Sequence, residues 1–139
     1  MKMLVINAGS SSLKFTVFDF SWLGKQVVLA SGQVECIGMA TPHLIYTCGE
    51  GLKSKTDLEI DEKRLKAGKY LTHSDALKCV CSKLLDSEEG VLTSITDVIA
   101  IGHRVVHGGE KITEPVIVDN DVKKAIKDCF ELAPLHNPP

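Results

Sequence analysis

Apolar and polar positions alternate along the first half of the chain with the two-residue period of β-strands. Residues 3–7 form a short apolar run, residues 13–20 alternate between apolar and polar side chains, and residues 27–37 are rich in β-branched ones. Residues 43–47 and 53–60 repeat the pattern on either side of a Gly-Glu-Gly turn. The pattern therefore predicts three consecutive strands followed by a β-hairpin.

The hydrophobic period then lengthens to that of an α-helix, with Thr72 and Asp75 spaced as an N-terminal capping box. Residues 98–104 predict a nearly continuous apolar strand, which we expect to be buried. Asp119 or Asn120 is placed to cap a final helix. The apolar positions that predict one face of the first helix are Ala76, Leu77, Val80, Cys81, Leu84 and Leu85.

The order of the predicted elements, β-β-β-hairpin-α-β-α, is the opening of a ribonuclease-H-like α/β domain with a mixed sheet. Short turns make the first three strands antiparallel, whereas the helix before residues 98–104 allows that strand to run parallel to the first. A complete domain of this kind continues with one more strand and helix, which the order of elements lacks. We therefore expect residues 1–139 to form one domain, truncated before its last strand and helix.

Composition limits the classes of partner and compartment. The chain has 139 residues, enough for one core, and a net charge of −2, which argues against nucleic acid or an anionic membrane as a partner. Its apolar runs fall far short of the roughly 20 residues that span a bilayer. Five cysteines without a C-x-x-C pair favour structural thiols, including Cys79 and Cys81, over a metal site. We predict a cytoplasmic protein.

Groups that bind phosphate are concentrated in residues 7–14, Asn-Ala-Gly-Ser-Ser-Ser-Leu-Lys, between the first two predicted strands. The turn offers backbone N–H groups, hydroxyls and the Lys14 ammonium, while Gly9 permits a positive φ and leaves room for a phosphate. The Asn7 side-chain oxygen suits a hydrated Mg²⁺. The segment is not a Walker A loop, because a strand follows it and Phe15 stands where that motif has Ser or Thr. A polar hairpin turn whose serines bond their own backbone is an equally good interpretation of this segment alone.

Two further segments carry candidate ligand groups. Arg104, at the end of the apolar strand in Gly-His-Arg-Val-Val-His-Gly-Gly, suits a carboxylate or phosphate bidentately, with a structural ion pair as the alternative. His103 and His107 in the same segment are more readily explained as hydrogen-bonded structural residues than as catalytic ones. Residues 133–139 predict a rigid Pro-rich loop after the last helix, in which Leu135 could wall a small apolar pocket.

Residues 4–14, 102–109 and 132–139 together resemble the acetate kinase family closely, in order and in spacing. The resemblance implies the actin-like ATPase fold, in which a ribonuclease-H-like domain is duplicated. It also implies reversible phosphoryl transfer from ATP to acetate, giving acetyl phosphate and ADP, with Mg²⁺ or another divalent cation and a homodimeric full-length enzyme. By this resemblance the chain is an incomplete N-terminal domain, and the C-terminal domain is absent.

The same resemblance assigns roles to individual residues. Asn7 matches the metal-binding position, Arg104 matches the arginine that holds the substrate carboxylate, and His136 matches a histidine near the active site. The positions that match phosphate contacts are Ser10, Ser12 and Lys14, and those that match the walls of the methyl pocket are Val106 and Leu135. The family's catalytic aspartate lies beyond Pro139. We therefore expect no catalytic residue in this chain and no turnover from it alone.

Two alternative functions stay open at this stage. A pocket discriminates one methylene group by only about 1–3 kcal/mol, so a propionate or butyrate kinase of the same family fits the same residues. A non-catalytic nucleotide-binding or assembly module with this fold is the alternative from another class. Competition between substrates distinguishes an acetate kinase from a propionate or butyrate kinase. Measurable turnover of the complete protein distinguishes an enzyme from a non-catalytic module.

Overall fold

A computed structural model describes residues 1–20, 24–51, 53–110, 112–134 and 138. Its strands form one six-stranded mixed sheet in the order β5-β4-β3-β2-β1-β6. The strands are β1 (Lys2–Ala8), β2 (Leu13–Phe20), β3 (Gln26–Glu35), β4 (His43–Cys48), β5 (Lys53–Asp57) and β6 (Val98–His103), and the helices are α1 (Glu62–Lys66), α2 (His73–Leu84) and α3 (Asn120–Asp128), with a 3-10 turn at Ile95–Asp97 before β6.

The strand directions confirm the predicted topology. β1 pairs antiparallel with β2, and β2 pairs antiparallel with β3, as expected from their short connections. β6 returns parallel to β1 after α2. The predicted hairpin is β4–β5, which extends the same sheet. Its second strand ends at Asp57: the Leu58 N–H still donates to the Pro42 carbonyl at 2.9 Å, but Pro42 has no N–H to return the bond.

Helix α2 packs against β2 and β3 and forms the core with one face of the sheet. Ala76, Val80 and Leu84 are each 0% exposed. Leu77 and Leu85, predicted on the same face, are 37% and 40% exposed, because a helix lying on this sheet buries only the stripe of residues four apart. The strand residues in the same buried cluster are Leu4, Ile6, Leu13, Phe15, Val17, Ala30, Val34, Leu44 and Tyr46.

Both predicted helix caps are present. The Thr72 hydroxyl oxygen accepts from the Asp75 N–H at 3.2 Å, and the Asp75 carboxylate accepts from the Thr72 N–H at 3.1 Å, which completes the capping box of α2. Of the two candidates for α3, Asp119 is the cap and accepts from the Val122 N–H at 2.8 Å. Helix α1 and the 3-10 turn were not predicted, because five and three residues are too few to show a hydrophobic period.

β6 forms one edge of the sheet, so the expectation of a buried strand is wrong. Within the described ranges it pairs only with β1, and Ile99 and Ile101 are 60% and 65% exposed. α2 covers the middle of the sheet, which leaves the apolar side chains of this edge uncovered. Among the residues that the structure describes, no helix is both long and apolar enough to cross a membrane.

β3 carries a glycine where two aromatic side chains meet. Gly32 is the register partner of Phe15 on β2 and of Tyr46 on β4. The two rings stack across it with their centroids 6.3 Å apart. A Cβ atom at Gly32 would collide with the Ile45 carbonyl oxygen and come within 2.8 Å of the Phe15 ring. Gly32 is therefore required for close packing.

We expect Gly32→Ala to lower the free energy of unfolding by about 1–3 kcal/mol, because the added methyl group must displace the Phe15 ring and the β4 backbone. Equilibrium urea denaturation followed by far-UV circular dichroism measures the change. Ser31→Ala is the control, since Ser31 precedes Gly32 on the opposite face of the sheet, and it should shift stability by less than about 0.5 kcal/mol. Equal stability of Gly32→Ala and the unsubstituted chain would contradict this packing argument.

Candidate active site

The segment predicted to bind phosphate forms a tight turn, residues 9–12, between β1 and β2. The Gly9 N–H donates to the Ser12 carbonyl at 2.8 Å, which closes the turn. Gly9 does not adopt the positive φ that the sequence would permit. A Cβ atom at this position would lie 3.1 Å from Ser12 Oγ, closer than an ordinary contact. A side chain at this position would therefore press on the Ser12 hydroxyl.

Two carbonyl groups of the turn are held by the rest of the domain. The Ile37 N–H donates to the Ser11 carbonyl at 3.0 Å, and His73 Nε2 lies 2.6 Å from the Gly9 carbonyl oxygen. The chain reaches the first of these contacts through Cys36, which takes a left-handed conformation with a φ of 58°. The turn is thus fastened to β3 on one side and to α2 on the other.

The polar side chains of the turn are available to a ligand. Among the described residues, none forms a hydrogen bond with the hydroxyl groups of Ser10, Ser11 or Ser12. Lys14 is exposed, and no carboxylate in the described part of the chain forms an ion pair with it. The alternative of a hairpin turn whose serines satisfy their own backbone therefore has no support in this geometry.

Asn7, Lys14 and Arg104 lie at the same end of strands β1, β2 and β6 and on one face of the sheet. Asn7 and Lys14 are register partners in the antiparallel β1–β2 pair, so their side chains leave the sheet on the same side. In the β1–β6 pair Ile6 is opposite His103, and the Arg104 N–H continues the ladder by donating to the Ile6 carbonyl at 3.2 Å. Alternation along the strand then puts Arg104 on the Asn7 side and His103 on the Ile6 side.

Arg104 is exposed, which corrects the expectation that it ends a buried strand. The difference follows from the edge position of β6. Within the described ranges no Asp or Glu forms an ion pair with Arg104, so the structural alternative for this residue finds no partner there. Val106, predicted to wall a pocket, is 45% exposed. Leu135 and His136 lie outside the described residues.

The loop after β6 packs against the end of α3. A Cβ atom at Gly108 would lie 2.5 Å from the Ile112 carbonyl oxygen. One at Gly109, which has a φ of 68°, would lie 3.0 Å from the sulfur of the buried Cys129. His107 Nδ1 accepts from the Gly109 N–H at 3.0 Å, which agrees with the structural interpretation of this histidine. Gly108 therefore allows the close approach of Ile112 within the loop, and Gly109 allows that of the end of α3.

A sequence profile described as the acetokinase family matches residues 2–139. The chain belongs to the acetokinase family. One curated relative, the acetate kinase of Methanosarcina thermophila, is 47% identical over 140 residues. That alignment covers 100% of this chain and 31% of the relative, so the chain spans less than a third of that protein's length.

Solved structures of acetokinase-family proteins share the fold. The crystal structure of Porphyromonas gingivalis acetate kinase matches with a TM-score of 0.83 and 35% identity, over 99% of this chain and 31% of that one. A propionate kinase from Francisella tularensis subsp. tularensis matches with a TM-score of 0.74 and 29% identity, over 99% of this chain and 30% of that one. The first match confirms the actin-like ATPase fold that the family resemblance implies.

No motif in the sequence of this acetokinase-family chain singles out His73, the first residue of α2. Its contact with Gly9 joins residues 64 positions apart, and the Thr72 capping box beside it was the only local signal. Asp75 of that box also accepts from Arg64 Nη2 at 2.8 Å. The Arg64 hydrogen bond, followed by those from Thr72, holds the pKa of the Asp75 carboxyl well below its usual range. A charged network thus fastens the start of α2.

Because the folded-state pKa of Asp75 is lowered, its stabilising contribution is present above the unfolded-state pKa of about 3.9 and is lost as the pH falls toward the folded-state value. We expect Arg64→Gln to raise the pKa of Asp75, since it removes the largest cause of the shift. An NMR titration of the Asp75 carboxyl carbon measures this pKa. Lys66→Gln is the matched control, because Lys66 pairs instead with Glu62. An equal Asp75 pKa in both variants would rule out Arg64 as the cause.

Proposed function

We propose that this chain is the incomplete N-terminal domain of an acetate kinase, which reversibly transfers a phosphoryl group between ATP and acetate. The observation that carries the proposal is the placement of Asn7, Lys14 and Arg104 at the same end of neighbouring strands and on one face of the sheet, beside a turn rich in hydroxyl groups. Relatives named acetate kinase, 42–47% identical over the whole chain, support this activity. Their greater length supports a larger enzyme in which further residues, the catalytic aspartate among them, complete the site.

Each group has a separate task in the proposed reaction. A carboxylate oxygen of acetate attacks the γ-phosphorus of ATP, the bond from that phosphorus to the β,γ-bridging oxygen breaks, and ADP leaves with the electron pair. Ser10, Ser12 and Lys14 bind the phosphate oxygens, while Arg104 orients the acetate carboxylate bidentately. Positioning supplies most of the rate in such a transfer, so these groups act fully only when the rest of the enzyme covers them.

The residues present fit a magnesium ion carried in with the nucleotide. Asn7, near the end of β1, supplies one neutral amide oxygen. The described residues contain no group of three His, Cys, Asp or Glu side chains that could hold a metal by themselves. Mg²⁺ commonly keeps several waters and binds through few protein groups together with substrate phosphates. When bound, it would neutralise charge on the transferring phosphate, and Asn7 would hold it directly or through a water.

The remaining assignments rest on the family resemblance. Val106 and Leu135 would wall the pocket for the methyl group, with His136 near the reacting groups. The 45% exposure of Val106 leaves its side chain available to the substrate or to a covering segment. We also propose a cytoplasmic, homodimeric full-length enzyme. The five free cysteines of this chain are compatible with a reducing compartment.

A propionate kinase is the second candidate function, since a protein of that name shares the fold at 29% identity. We expect the complete enzyme to prefer acetate and to use propionate with a kcat/KM lower by about 10- to 200-fold, because one methylene group costs about 1–3 kcal/mol in a fitted pocket. Competition between acetate, propionate and butyrate measures the preference. A higher kcat/KM for propionate or butyrate would move the assignment to that kinase. No turnover with any of the three would favour a non-catalytic nucleotide-binding or assembly module.

Arg104 offers the most direct test of the proposed site. In the complete enzyme we expect Arg104→Ala to lower kcat/KM for acetate. Loss of the charged contact should cost on the order of 2–5 kcal/mol of transition-state stabilisation. Arg104→Lys should recover only part of it, because a point charge cannot replace a bidentate fork. Steady-state kinetics measure both. His103→Ala is the control, since the adjacent His103 lies on the opposite face. Unchanged kinetics in Arg104→Ala would return Arg104 to a structural role.

A further inference from the structure

His73 connects the helical layer directly to the turn proposed to bind phosphate. The ring is half-buried, and its Nε2 lies 2.6 Å from the Gly9 carbonyl oxygen. A carbonyl oxygen can only accept, so Nε2 must carry the proton and donate it to Gly9. The contact therefore fixes a proton on Nε2. That nitrogen donates to Gly9 and cannot accept a hydrogen bond from a ligand.

We propose that His73 is a positioning residue that aims the backbone donors of the turn at the nucleotide phosphates. The inference rests on the proposed function of residues 9–12 and adds a residue to it. Across a trans peptide the C=O of one residue and the N–H of the next point in opposite directions. Because the Gly9 carbonyl points toward His73, the Ser10 N–H points away from α2. The Ile37 contact with the Ser11 carbonyl directs the Ser12 N–H in the same manner.

The start of α2 is rigid enough for this task. The residue before the cap, Leu71, is 6% exposed, and its carbonyl accepts from the Gly38 N–H at 3.0 Å. The capping box and its ion pair to Arg64 then hold the backbone on either side of His73. Further along the helix the buried stripe fixes α2 on the sheet. A ring on such a support can hold the Gly9 peptide in one orientation, which a flexible surface side chain could not.

Two amide variants test the hydrogen bond, because they share chemistry and differ in reach. Gln places its amide nitrogen at the level of Nε2, whereas Asn places it at the level of Nδ1. In the complete enzyme we expect His73→Asn to raise KM for ATP about tenfold and leave KM for acetate unchanged, the loss expected for one hydrogen bond. We expect His73→Gln to stay within about twofold of the unsubstituted enzyme. Ser74→Ala, at the exposed neighbouring position of α2, is the control and should change neither constant.

Lys14→Ala separates failure of this inference from failure of the proposed function. If Lys14→Ala leaves KM for ATP and kcat unchanged, the turn is not the phosphate site and the proposed function is wrong at that point. If Lys14→Ala impairs the enzyme while His73→Asn and His73→Gln behave alike, the positioning role alone is overturned. The positioning role is also overturned if both amide variants only lower the melting temperature, with KM for ATP unchanged, since a purely structural contact would have that effect.

The ring itself gives a readout that does not depend on activity. ¹⁵N NMR of the unsubstituted protein should show a proton on His73 Nε2 and a hydrogen bond from it. If His73→Asn fails to fold, this measurement decides the inference together with the kinetics of His73→Gln. An Nε2 without a proton, or a His73→Gln enzyme with a KM for ATP raised about tenfold or more, would overturn it.

Discussion

Strand β1 is hydrogen-bonded along both of its edges, antiparallel to β2 and parallel to β6, and the geometry of the site depends on this double pairing. On the antiparallel side the chain reverses at once, so Asn7 on β1 lies directly beside Lys14 on β2. On the parallel side a strand can return only through a crossover connection, and the connection that leads to β6 contains α2. The end of β6 consequently meets the end of β1, and Arg104 arrives beside a turn that is distant from it in sequence.

The turn itself is shaped by the groups that hold its carbonyls. Polar backbone atoms need partners, and here the Gly9 and Ser11 carbonyls find theirs in α2 and after β3. The opposite side of the turn then presents hydroxyl and N–H groups outward. Helix α2 thus has two roles, since its buried stripe closes the core and its first residue supports the turn. Loss of the contact between α2 and the turn should therefore weaken the proposed binding of nucleotide, although α2 has no proposed contact with the nucleotide.

The openness of the site is a consequence of position in the sheet. Arg104 and Val106 follow an edge strand, so both are exposed and Arg104 finds no acidic partner among the described residues. An exposed arginine without an acidic partner can bind the proposed carboxylate ligand. Water and salt weaken any such contact until the site is covered. The apolar Ile99 and Ile101, which alternation places with His103 on the opposite face of β6, show that the other face of this edge is uncovered as well.

Sequence alone was enough to predict the strands, helix α2, its capping box and the fold class, because these depend on side-chain periods and on hydrogen bonds within a few residues. It also singled out Asn7, Lys14 and Arg104, through residue types whose chemistry suits phosphate, metal and carboxylate. Three features became clear only from the folded chain: β6 is an edge strand, Arg104 is exposed, and His73 holds Gly9. Burial and the contact between His73 and Gly9 depend on which distant elements pack together. A pattern along the chain does not specify that packing.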